Sequence, residues 1–116
     1  MIEKIVLDYL NKSLPDGIKA YIERPEGEDP QRYVLVQKTS STEVNLVESA
    51  MIAIQSYAES LYEAASLNET VKAIMRLAPG EKDISAARLN SDYEYNDKAR
   101  KKYRYQAVYD VYSHLK

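Results

Sequence analysis

Apolar residues at Ile2, Ile5, Val6, Tyr9 and Leu10 recur at steps of three and four, which predicts a helix with one apolar face, stopped by Pro15 and Gly17. Ile18, Ala20 and Ile22 then alternate with Lys19, Tyr21 and Glu23, the period of two of a half-buried strand. Arg24 to Pro30 is rich in proline and charge and reads as an exposed connection into a strand over Tyr33 to Thr39. These two strands are expected to pair as a hairpin with a long loop. Thr39-Ser40-Ser41-Thr42 reads as a polar break. Beyond it, the stretch from Val44 to Ala58 carries an apolar run, Ala50 to Tyr57, expected to be a central strand covered on both faces.

Ser56 and Glu59 have the spacing of a capping box, and Leu61, Ala64, Ala65, Val71, Ile74, Met75 and Ala78 form a helical stripe that ends at Pro79-Gly80. Ser66 and Asn68 are weak helix formers, but the stripe runs past them as one helix. Leu89, Ser91, Tyr93 and Tyr95 alternate with polar neighbours, as do Tyr103, Tyr105, Ala107, Tyr109 and Val111. With a turn at Asn96-Asp97-Lys98, they predict a C-terminal hairpin with facing tyrosines. The order is α-β-β-β-α-β-β. With no linker and no internal repeat, residues 1–116 form a single domain, an α+β fold whose mixed or antiparallel sheet carries both helices on one face.

A chain of 116 residues can hold one core without metal or disulfide staples, and a formal charge of -2 supplies no overall field toward nucleic acid or anionic membrane. Cysteine is absent, which removes disulfides, thiolate nucleophiles and cysteine-based zinc sites and fits a reducing compartment. The N-terminus lacks a signal-peptide pattern, and the longest uncharged run, Ser49 to Ala58, falls far short of the ~20 residues of a membrane span. The expected location is the cytoplasm. Eleven tyrosines stand beside no phenylalanine and no tryptophan. Because each hydroxyl needs water or a partner, this set suits either a thin core with hydroxyls at its edge or surfaces that associate.

No catalytic, cofactor or metal site can be written from the residues. His114, the single histidine, lies two positions from the end, where chains fray and a base is not held against a nucleophile. Gly17, Gly27 and Gly80 are too far apart for a phosphate-cradling loop. Glu23, Glu26, Glu28 and Asp29 lack the ligand alternation of a calcium loop and read as a solvated connection. The sharpest local feature is Lys98, Arg100, Lys101, Lys102 and Arg104, with Tyr103 and Tyr105 interleaved and Asp97 beside them. Such a patch suits an acidic protein surface or phosphates, and equally a solvated edge strand on which lysine blocks unwanted pairing.

With Tyr33-Val34-Leu35-Val36, then a Ser/Thr stretch, then Ala50 to Ala58 ending Gln55-Ser56-Tyr57-Ala58, the middle of the chain resembles the small tail-terminator, or tail-completion and head-tail joining, proteins of long-tailed phages. Ser60, Glu63-Ala64-Ala65 and Leu67 follow, with Tyr103 to Tyr109 as the closing strand. The resemblance implies a ring, commonly of six copies, that caps the tail tube and meets the head connector, with DNA passing its inner rim. It implies no catalysis and no cofactor. The candidate interface residues, taken from the basic and tyrosine pattern, are Lys98, Arg100, Lys101, Lys102, Arg104, Tyr93, Tyr95, Tyr103 and Tyr105. Two alternatives remain: an accessory protein that binds nucleic acid non-specifically through the basic patch, and a head-closure or adaptor component of the neck.

Overall fold

The computed structural model describes residues 1–27, 30–99 and 102–114. Its elements are α1 (Ile2–Ser13), β1 (Lys19–Tyr21), β2 (Tyr33–Val44), β3 (Val47–Ala58), α2 (Leu61–Arg76), β4 (Ala86–Glu94) and β5 (Tyr103–His114), with a short 3-10 turn at Ala78–Gly80. The order and the α+β class are those the pattern predicts. The sheet has five strands in the order β1-β2-β3-β5-β4, so the apolar run of β3 is central.

Both helices pack on one face. The α1 residues Ile2, Val6, Tyr9 and Leu10 and the α2 residues Leu67, Val71 and Met75 share a core with Val34, Val36, Ile52, Ile54, Ala107, Tyr109 and Val111. The strand residues all lie on one side by register, since Val36 pairs with Ile54 and Ile54 with Ala107. Each fully buried aliphatic side chain contributes about 1.5–3 kcal/mol. Tyr9 reaches this core with its hydroxyl donating to the Ile74 carbonyl at 2.5 Å. Lys72 ties α2 to β4 by donating to Asp92 at 2.8 Å and to Glu69 at 2.7 Å. Those bonds, Asp92 first, hold its ammonium above the usual lysine range. Among the described residues no helix is long and apolar enough to cross a membrane.

Several boundaries differ from the sequence reading. β1 does not form a hairpin with β2; the two run parallel, with Lys19 opposite Tyr33 and Tyr21 opposite Leu35. β1 is only three residues long, so little chain is needed to return alongside it before β2 begins. Asn11 of α1 closes the outer edge of β1, accepting from the Ala20 N–H at 2.7 Å and donating to the Ala20 carbonyl at 3.1 Å. A helix side chain thus satisfies backbone groups that a neighbouring strand would otherwise pair.

The polar stretch 39–42 is no break. It continues β2, and its side chains are polar because this part of the strand is exposed on both faces. The turn is two residues, Asn45 and Leu46, with φ of 51° and 63°. That is the mirror-image geometry whose twist matches a β-hairpin. The cap of α2 is Ser60, not Ser56: its Oγ accepts from the Glu63 N–H at 3.1 Å, while Ser56 lies inside β3. α2 continues through Ser66 and Asn68, as read, but ends at Arg76. Leu61, assigned to its apolar stripe, is exposed. β4 begins at Ala86 rather than Leu89, and β5 extends to His114. An irregularity between Leu89 and Ser91 sets the register so that Tyr93 faces Gln106 and Tyr105 faces Glu94; the tyrosines of this hairpin do not face one another.

Candidate functional site

Strand alternation that sends Val34, Ile54 and Ala107 to the helices sends their neighbours to the other side, on which no helix packs among the described residues. Tyr21, Tyr33, Tyr57, Arg104, Tyr93 and Tyr95 meet there. Tyr33 and Tyr57 stack with centroids 4.6 Å apart and planes within 6°, and Tyr21 stands edge-on to Tyr33 at 6.2 Å. The Arg104 guanidinium lies 4.1 Å from the Tyr95 centroid and 5.5 Å from that of Tyr57, and Tyr95 is edge-on to Tyr93 at 6.1 Å. Arg24 covers Tyr57 from the connection after β1, at 5.3 Å. These contacts form a ladder of rings and guanidinium groups across the sheet, in the geometries that ring quadrupoles favour.

Hydrogen bonds run along the same face in one direction. Arg104 donates to the Tyr57 hydroxyl at 2.6 Å, which donates to Gln55 Oε1 at 3.3 Å. Gln55 Nε2 donates to Gln106 Oε1 at 2.7 Å, and Gln106 Nε2 donates to the Tyr93 hydroxyl at 2.5 Å. Arg104 Nε also donates to the Tyr95 carbonyl. Arg24 donates to the Tyr33 hydroxyl at 3.1 Å and pairs with Asp97 at 3.4 Å. Tyr33 and Tyr57 are therefore buried, at 0% and 2% exposure, although no helix covers them. A cavity of about 540 Å³ opens on this face between Arg24, Leu35, Gln55, Tyr57, Tyr95 and Arg104. Among the described residues no carboxylate pairs with Arg104.

The nine residues picked from the sequence divide between surfaces. Tyr93, Tyr95 and Arg104 join the ladder. Tyr103 and Tyr105 fall on the helix side of β5, opposite Ala58 and Ser56. Lys98 and Lys102 belong to the β4–β5 connection, where Asp97 and Lys102 exchange backbone hydrogen bonds at 3.0 and 3.1 Å. Arg100 and Lys101 lie outside the described residues. Arg104 is drawn into the aromatic stack by its contacts with Tyr57 and Tyr95.

The sequence pattern missed Tyr21, Arg24, Tyr33, Gln55, Tyr57 and Gln106 as parts of one site. Tyr21, Tyr33, Gln55 and Tyr57 stand at odd positions along β1, β2 and β3, Arg24 follows β1 and Gln106 lies on β5, and no single-strand reading joins them. His114, expected in a frayed end, is the last described residue of β5 and sits opposite Val47. Of the acidic loop, Glu23 lines the open-face cavity, and Glu28 and Asp29 lie outside the described residues. Among the described residues no group of three or more His, Cys, Asp or Glu is placed to hold a metal. The arrangement is suited to contact: flat rings, fixed donors and a guanidinium with no carboxylate partner. No protein-family model matches the chain, and no curated protein matches it in sequence.

Proposed function

We propose that this chain is a non-enzymatic assembly protein of a phage or prophage tail or neck, a tail terminator that forms a ring, caps the tail tube and joins it to the head connector. The observation that carries this reading is the tyrosine–arginine ladder on the helix-free face. Tyrosine and arginine are the residues that dominate association energies, and side chains already held by stacking and hydrogen bonds lose little entropy when a partner covers them. The direct step from β3 to the α2 cap, with only Glu59 and Ser60 between Ala58 and Leu61, agrees in element order with the resemblance drawn from Gln55 to Leu67.

In this reading six copies form the ring, DNA in its lumen is a passive contact, and assembly takes place in the host cytoplasm before the protein enters the virion neck. Protein contact is favoured over the nucleic-acid alternative because Arg104, the last residue of the basic run, is committed to Tyr57 and Tyr95. The test is molar mass by size-exclusion chromatography with light scattering, from low to high micromolar protein at two salt concentrations, with and without purified tail-tube protein. A closed species near six subunits, or co-elution with the tube protein, is expected. A monomer throughout that ignores the tube protein refutes the reading.

A further inference from the structure

The sheet ends in two hairpins that point in opposite directions. The β2–β3 turn lies beyond Val44 and Val47, next to His114, while the β4–β5 connection lies at the far end of β5, next to Ala58. A twelve-residue strand spans about 40 Å, close to the 43 Å long dimension of the molecule.

The β2–β3 end is acidic and apolar. Glu43 and Glu48 stand directly opposite each other across the hairpin, a like-charge pairing that destabilises a sheet. Neither has a cationic partner among the described residues. Val44 and Leu46 project with 65% and 67% exposure. Leu46 also holds a φ of 63°, a position where glycine is strongly preferred. The turn therefore keeps an exposed leucine against its backbone preference and two carboxylates against their mutual repulsion.

The β4–β5 end has the opposite character. Lys98 and Lys102 have no carboxylate partner among the described residues, Asp97 pairs with Arg24, and Glu94 accepts from Asn96 at 2.8 Å. A recess of about 280 Å³ opens between Asn96, Asp97, Lys98, Lys102 and Tyr103. Tyr103 is 40% exposed.

From this charge complementarity we infer that the occupant of the recess is the β2–β3 tip of a second copy of this chain. Leu46 enters the recess against Tyr103, and Glu43 and Glu48 come to Lys98 and Lys102. The contact joins unlike surfaces at opposite ends of the molecule, so it is heterologous and repeats from copy to copy until the rotation closes a ring. It rests on the reading that the chain assembles with itself and names the residues that do so.

The test is a charge swap read by light scattering. The pair Glu43→Lys with Glu48→Lys, and separately the pair Lys98→Glu with Lys102→Glu, are expected to elute as folded monomers at concentrations where the parent chain assembles, an association at least tenfold weaker. Mixed in equal amounts, the two variants regain the parent's size, because each then meets an opposite charge. A parent that assembles while both variants assemble equally well, or folded variants whose mixture stays monomeric, overturns the docking mode and leaves self-assembly standing. A parent that stays monomeric overturns both.

Cross-linking supplies an independent readout, since the chain has no cysteine. A Leu46→Cys chain mixed with a Tyr103→Cys chain is expected to give a disulfide-linked hetero-pair on oxidation. Disulfides formed instead between two Leu46→Cys chains indicate a symmetric tip-to-tip contact and overturn the inference.

Discussion

Replacing Arg104 tests whether the ladder is a built structure or a row of surface side chains that happen to touch. Its guanidinium donates to the Tyr57 hydroxyl at 2.6 Å and to the Tyr95 carbonyl and lies over both rings. Net hydrogen bonds from a charged donor contribute about 1.5–3 kcal/mol each, and a partly exposed cation–ring contact about 0.5–1 kcal/mol. Arg104 is half-buried, so values at or below the low end of each range apply, and Arg104→Ala is expected to cost about 2–4 kcal/mol. Arg104→Lys keeps the charge but not the planar fork and is expected to lose about half as much. Urea unfolding of dilute protein reads the difference directly: at a slope of about 1.5 kcal/mol per molar, the alanine variant shifts the midpoint down by roughly 1.3–2.7 M. A double-mutant cycle with Tyr57→Phe is expected to give a coupling above about 0.5 kcal/mol. If Arg104→Ala stays within about 0.5 kcal/mol of the parent, as ordinary surface substitutions do, the ladder has no energetic standing and the reasoning built on it fails.

Three further outcomes follow from other parts of the fold. Asn11→Ala removes both bonds to Ala20 and leaves the edge of β1 open; a loss of about 2 kcal/mol is expected in urea unfolding, and a change below about 0.5 kcal/mol would show that the clamp is idle. Burial pushes the Tyr109 phenol from 10.0 up to about 12. The unfolded chain therefore ionises first as pH rises, and the stabilisation from this group, complete below pH 10, is lost progressively toward pH 12. The loss amounts to about 2–3 kcal/mol; Tyr109→Phe is expected to flatten that part of the stability profile, and an unchanged slope above pH 10 contradicts the assignment. Ser56 is fully buried and its hydroxyl has no hydrogen-bond partner among the described residues, so Ser56→Ala is expected to raise stability by about 1 kcal/mol, with a lowered urea midpoint as the contrary result.

What the chain's own pattern determined was which residues face the core. The steps of three and four in Ile2 to Leu10 and in Ala64 to Met75, and the step of two in Tyr103 to Val111, are properties of local backbone geometry. Side chains placed at those intervals share a face whatever lies opposite. That was enough for the element order, the α+β class and the central place of Ala50 to Tyr57. It failed at Thr39 to Val44, where a strand exposed on both faces has no apolar alternation to reveal it. It failed again at β1, where direction relative to β2 depends on how the chain returns and not on either strand's residues.

The candidate site belongs to the tertiary structure. Tyr33, Tyr57, Arg104 and Tyr95 come from three different strands and the connection after β4, and they meet because β5 inserts between β3 and β4. The sequence presented Arg104 as one charge in a basic run and the tyrosines as an unusual composition. Only strand pairing decided that Arg104 points to the helix-free face while its neighbours Tyr103 and Tyr105 point away, since a period of two sends adjacent residues to opposite sides and the sheet alone determines which side the helices cover.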